Sequence, residues 1–76
     1  SLVHLLAAAG QHREALERAN RLLEIEPFRE ASHRLVIQQE EIISGRASAL
    51  ARFQSLKKIL QDSVDVPPEQ ATLDLV

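Results

Sequence analysis

Cysteine, methionine, tryptophan and tyrosine are all absent from these 76 residues. Without cysteine, disulfides, thiolate zinc sites and a cysteine nucleophile are excluded together. The only aromatic residues are two phenylalanines, too few for a platform on which bases or sugars stack. No apolar run approaches the roughly 20 residues that a membrane helix needs. The first residues show neither the basic start nor the cleavage site of a signal peptide, so a cytoplasmic location is the expectation. Neither sign of charge dominates: nine Lys and Arg stand against 11 Asp and Glu, a net charge of −2. That balance argues against a dedicated nucleic-acid or anionic-membrane surface. The alternating apolar and polar runs of a half-buried strand are also missing. What is present, 45% hydrophobic and 26% charged residues, is the composition of a folded domain rather than a disordered tail. A chain this short buries limited surface and relies on staples, a metal or neighbours.

Punctuation is sparse. Gly10, Pro27, Gly45 and Pro67-Pro68 divide the chain into four helical segments and a tail. The first, Ser1 to Ala9, places Leu2, Leu5, Leu6 and Ala9 on one face. It begins without an evident cap, as expected of a piece of a longer array. The second, about His12 to Glu24, carries Ala15, Leu16, Ala19, Leu22 and Leu23 on a stripe. Opposite them, Glu14 with Arg18 and Glu17 with Arg21 have the spacing of helical ion pairs. Pro27 then stops this helix.

The third segment, about Phe28 to Ser44, has one stripe of Ala31, Leu35 and Ile42 and a second of Val36 and Ile43. Two apolar sides predict a helix held between neighbours and the most buried of the set. Gln38 interrupts the first stripe, either as a polar surface residue or as a buried, hydrogen-bonded amide. The fourth segment, about Ala47 to Gln61, carries Ala49, Leu50, Phe53, Leu56, Ile59 and Leu60, with Arg52, Lys57 and Lys58 as its cations. Lys57 and Lys58 are expected in its last turns, where they complement the helix dipole. The tail holds Asp62, Asp65, Glu69 and Asp74. Pro68 is placed to open a short terminal helix. The acidic tail is expected to fold over helix four and neutralise its cations.

Gly10-Gln-His-Arg-Glu-Ala15-Leu16 and Gly45-Arg-Ala-Ser-Ala49-Leu50 recur at an offset of 34 to 35 residues. Together with Pro27, twelve residues beyond Ala15, this Gly, Ala, Pro spacing resembles the second half of a tetratricopeptide repeat. The fold expected is all-α: stacked antiparallel helical hairpins, four helices plus a short C-terminal helix. Residues 1–26 would form repeat one, 27–62 repeat two and 63–76 a capping tail.

A narrower resemblance covers Glu26-Pro-Phe-Arg-Glu-Ala-Ser-His-Arg-Leu35. This run is similar to the signature of the bacterial transcriptional activator domain, with Pro27, Arg29, Glu30, Ala31, His33, Arg34 and Leu35 at the family's motif positions. Gly45, Ala49-Leu50, Phe53, Leu56 and Leu60, then valines before prolines, continue the pattern, so it spans roughly residues 5 to 72. The chain departs from it in a shorter join between Gly45 and Ala49, in a shorter approach to the prolines, and in Asp65 where the family has glycine. Gln38 and Gln39 also stand where aliphatic or small residues are usual.

Catalytic constellations are weak. His4, His12 and His33 lack the spacing of a helical metal site, and no metal or cofactor is expected. Serines and acids exist, but no nucleophile elbow or glycine-rich oxyanion loop accompanies them. Two glycines 35 residues apart cannot build a phosphate loop. Glu40 and Glu41 point in different directions on a helix and are no carboxylate dyad. The chain is therefore not expected to be an enzyme.

What remains is surface. By tetratricopeptide register, Ala31, Arg34, Gln38 and Glu41 of helix three, with His4 and Ala7 of helix one, would line a partner-binding groove. The resemblance implies a protein–protein interaction or oligomerisation module of a bacterial regulator whose DNA-binding domain lies elsewhere. The expected partners are proteins, either a second copy or the transcription machinery, with no direct nucleic acid and no membrane. The alternative is a peptide- or protein-docking module of an unrelated signalling protein or multidomain enzyme. Leu2, Leu5 and Leu6 predict a sticky N-terminal side, with Ile37 as a further contact.

Overall fold

The computed structural model describes all residues 1–76. Five helices follow one another: α1 (Leu2–Ala8), α2 (His12–Ile25), α3 (Glu30–Ser44), α4 (Arg46–Ser63) and α5 (Gln70–Leu73). There is no strand. Each of the first four packs chiefly against its neighbour in sequence, and the short connections make those neighbours antiparallel. The result is a tetratricopeptide-like stack, 36 × 26 × 17 Å in extent. No helix is long and apolar enough to cross a membrane.

The joints explain the boundaries. Gly10 (φ +80°) and Gly45 (φ +100°) both have positive φ, which glycine adopts without a Cβ penalty. Gly45 alone separates α3 from α4, and its N–H closes α3 on the Glu41 carbonyl. Pro27 sits in the α2–α3 connection, where its missing donor is harmless. Beyond α4 the turn is made by Asp65 at φ +52°, the position where the family pattern has glycine. With no breaker before it, α4 runs to Ser63, so Lys57 and Lys58 lie short of its last turn.

Helix α3 carries the most buried residues of any helix and joins two apolar clusters. Val36 packs with Val3, Ala15 and Ala19, flanked by Leu6, Ala7, Leu16, Leu23 and Leu35. Ile37 packs with Ala49, Phe53, Leu56 and Leu60, flanked by Leu75. The two-sided burial expected of this helix is therefore present, on one side through Val36 as expected and on the other through Ile37, which lay outside both stripes. Val36 and Ile37 are adjacent, roughly 100° apart around the axis, and each faces one cluster. Ile42 is exposed, and Ile37 is core rather than association surface.

Three further expectations are corrected. Ser1 caps α1, its hydroxyl accepting from the His4 N–H. The same helix buries Val3, with Leu6 and Ala7 half-buried, and leaves Leu2 and Leu5 exposed. The small side chains of Ala15 and Ala19 let Val3 approach closely, which rotates α1 from the face chosen by its leucines. Neither Glu14–Arg18 nor Glu17–Arg21 closes into an ion pair; the three that form are Arg29–Glu26, Arg34–Glu69 and Arg46–Glu41.

Candidate functional site

The signature segment begins at the α2–α3 connection. Arg29 reaches back to Glu26 at 3.1 Å on an exposed surface, where such a pair contributes little. His33, buried one turn into α3, places Nε2 2.7 Å from the Pro27 carbonyl. A carbonyl only accepts, so this contact assigns the proton to Nε2. His33 thereby ties the connection to α3, and Ala31 and Leu35 are half-buried beside it.

Glu30 and Arg34 are one helical turn apart and both reach the C-terminal segment. The Glu30 carboxylate, nearly buried, accepts the Glu69 backbone N–H at 2.9 and 3.2 Å. It also accepts the Thr72 hydroxyl at 2.8 Å. Thr72 is fully buried and in turn accepts from Arg34 Nη1 at 3.1 Å. Arg34 also approaches the Glu69 carboxylate at 3.4 Å. Glu69 is the N-cap of α5 and has no side-chain cap bond of its own. Glu30 thus supplies, from another helix, the carboxylate that a capping box takes from the third residue of the helix.

A second clasp holds the far end of the tail, where Arg46 donates to the Leu75 carbonyl at 2.9 Å and to Glu41 at 3.1 Å. The tail therefore binds to α3 and the start of α4, not to the cations expected. Arg52 instead donates to Asn20 of α2 at 2.6 Å, and Lys57 and Lys58 stay exposed without an ion pair.

Of the residues placed in the groove by register, Arg34 is half-buried and engaged with α5. Gln38 is exposed, one turn beyond it. Glu41 is exposed and bonded to Arg46. His4 is exposed on α1, with Nδ1 2.7 Å from the Ser1 hydroxyl. The buried amide is Gln39, whose Oε1 lies 2.7 Å from His12 Nδ1 across the α2–α3 packing. Thr72, Arg46 and Gln39 are the residues that sequence reasoning missed. None of the three carried a local signal, since Glu69-x-x-Thr72 is the reverse of the Ser/Thr-x-x-Glu order of a capping box.

No three His, Cys, Asp or Glu side chains gather as metal ligands. No buried polar side-chain atom lacks a partner. The buried polar groups thus satisfy one another, and the arrangement is chemically a set of staples. No curated protein and no solved structure matches the chain. The family model of the bacterial transcriptional activator domain matches residues 1–76. A match over the whole chain, with Glu30, His33 and Arg34 each holding a defined contact, makes this protein a member of the bacterial transcriptional activator domain family, a domain of transcriptional regulators.

Proposed function

We propose that the chain is a non-catalytic protein–protein interaction or oligomerisation module of a bacterial transcriptional regulator, working in the cytoplasm. The observation that carries this reading is the exposed row of Gln38 and Glu41 on α3. The same helix turns Val36, Ile37 and Gln39 into the interior. A helix clamped from both sides keeps an exposed polar row in fixed geometry, as a recognition surface requires. His4 of α1 joins this surface in the repeat register. The partner is a protein, either a second copy or a component of the transcription machinery. A net charge of −2 and the absence of Tyr and Trp favour such a partner over a nucleic acid. DNA recognition belongs to another domain of the regulator.

The test is Gln38→Arg combined with His4→Glu in the intact regulator, with promoter affinity and reporter transcription measured side by side. Both positions are exposed, so the fold should persist. Reporter output falling about tenfold, equivalent to about 1.4 kcal/mol of lost association, with DNA affinity unchanged, is the expected result. Full transcription with unchanged assembly would remove the surface from consideration.

A further inference from the structure

Where α2, α3 and α4 meet, their packing leaves a pocket of about 290 Å³. Every lining residue falls between Asn20 and Ile59, so the interior of the chain alone sets its shape. The floor is aliphatic: Val36, Ile37 and Leu56 are buried there, with Leu23 and Ile59 half-buried at the sides. Two opposite charges share this surface, Arg52 from α4 and Glu24 from α2, and no ion pair joins them. Arg52 is held instead on Asn20, its Nη2 2.6 Å from Oδ1. Asn20 and Glu24 are one turn apart on α2, a separation of about 5–6 Å between Cβ atoms. The other polar side chains of the lining are engaged, His33 with the Pro27 carbonyl and Ser55 with that of Ala51. A cation and an anion thus flank one gap above an aliphatic floor.

We propose that this pocket binds a free aliphatic α-amino acid, such as leucine. Its side chain covers Val36, Ile37 and Leu56. Its carboxylate takes N–H groups of Arg52, which has five donors and gives one to Asn20. Its ammonium donates to the Glu24 carboxylate. Charge complementarity sets the class: a ligand of single charge leaves one of the two groups unmatched, and a hydrocarbon leaves both. Charge-assisted hydrogen bonds of about 2.7–2.9 Å on each side fill most of a gap one helical turn wide. What fits between them is a head group with both charges on one carbon.

A polypeptide segment of a partner is a poorer occupant. Its amino and carboxyl groups are tied into peptide bonds and carry no charge, so it offers no such head group away from its ends. The volume also lies at the lower limit of about 300 Å³ for small-molecule pockets, which favours a small ligand. A bound amino acid would tie α2 to α4 across α3 and make the packing of the two hairpins depend on a metabolite. The inference goes beyond the reading of the polar row on α3 and does not depend on it.

The probe is L-leucine, compared with N-acetyl-leucine, which lacks the ammonium, and leucinamide, which lacks the carboxylate. Saturation-transfer NMR with the intact regulator reads the binding of each. L-leucine should bind with a dissociation constant at or below about 1 mM. Each analogue should bind about tenfold more weakly, as expected when one charged hydrogen bond is lost. Glu24→Gln should weaken L-leucine about tenfold and leave N-acetyl-leucine unchanged. Arg52→Gln should do the same with leucinamide as the unchanged ligand. Glu24 is exposed, so Glu24→Gln should stay folded by circular dichroism and decides the matter even if Arg52→Gln does not fold. Absence of L-leucine binding at about 10 mM, tenfold above the expected constant, would overturn the proposal. N-acetyl-leucine binding as tightly as L-leucine would overturn it too, reducing the site to a carboxylate site. L-leucine binding that ignores Glu24→Gln would also overturn it, placing the amino acid elsewhere in the regulator.

Discussion

Glu30 and Glu69, 39 positions apart, meet where the Glu30 carboxylate accepts the Glu69 backbone N–H. Two carboxylate residues come together because one of them contributes its main chain. The Glu69 side chain turns instead toward Arg34. The same Glu30 carboxylate accepts from Thr72. The first turn of α3 therefore organises a helix that four residues could not sustain alone, since nucleating an isolated turn is unfavourable.

This relationship predicts a coupled loss. Glu30→Ala should destabilise the chain by about 2–3 kcal/mol, because charged hydrogen bonds are lost and the buried Thr72 hydroxyl is left without its acceptor. Thr72→Ala alone should cost about 1–2 kcal/mol. The double variant should cost less than the sum, as residues sharing one network do. Urea titration of the four proteins measures the coupling. Strict additivity would show that the contact does not hold the tail. Amide exchange at Leu73 and Leu75 should quicken in Glu30→Ala while that at Ile37 changes less.

Gly45 gives a backbone prediction. Its φ of +100° and ψ of 176° fall in a region that is essentially confined to glycine. A Cβ there would meet no atom within 4 Å, so the cost of Gly45→Ala is conformational rather than steric crowding. Destabilisation of about 1–3 kcal/mol is expected. A thermal midpoint unchanged from the parent would mean that α3 and α4 join differently.

Asp65 gives the opposite sign. It adopts φ +52° as a non-glycine residue, at the position where the family pattern carries glycine. Aspartate tolerates this conformation better than most residues but still incurs a penalty. Asp65→Gly should therefore stabilise the chain by roughly 0.5–1 kcal/mol, offset in part by greater freedom of the unfolded chain. A higher urea midpoint with an unchanged slope is the expected reading.

Much of the architecture was legible because its punctuation is unambiguous. Gly10, Pro27, Gly45 and Pro67-Pro68 leave four intervals of helical length, and Ala15, Ala19, Ala49 and Phe53 recur at the right period. What was not legible has a common cause. In α1 the run Leu2-Val3-His4-Leu5-Leu6 is apolar on more than one face, so periodicity could not choose between the leucines and Val3. At Gln38-Gln39 two identical side chains differ only in where the neighbours stand, and His12 of α2 decides the matter. The contacts of Arg34 and Glu30 with Thr72 span 38 and 42 residues, beyond what local pattern encodes. Arg34 was placed in a groove by register, and in the fold it serves the tail.

The adjacent pair Ile37 and Gln38 tests the phase of α3 directly. Periodicity had left Ile37 outside both stripes, yet it is 1% exposed and packs with Phe53, Leu56 and Leu60 across the α3–α4 contact. Gln38, the next residue, is exposed. Truncating a buried isoleucine removes its transfer energy and leaves a cavity, so Ile37→Ala should cost about 2–5 kcal/mol. A domain of this size is only about 5–15 kcal/mol stable at best, so the milder Ile37→Val, at about 0.5–1.5 kcal/mol, guards against a variant that does not fold. Gln38→Ala should change stability by less than about 0.5 kcal/mol, as exposed substitutions do. Denaturant midpoints that ranked Gln38→Ala as the more damaging change would mean that α3 is rotated by one residue, and the exposed row of Gln38 and Glu41 would then be core.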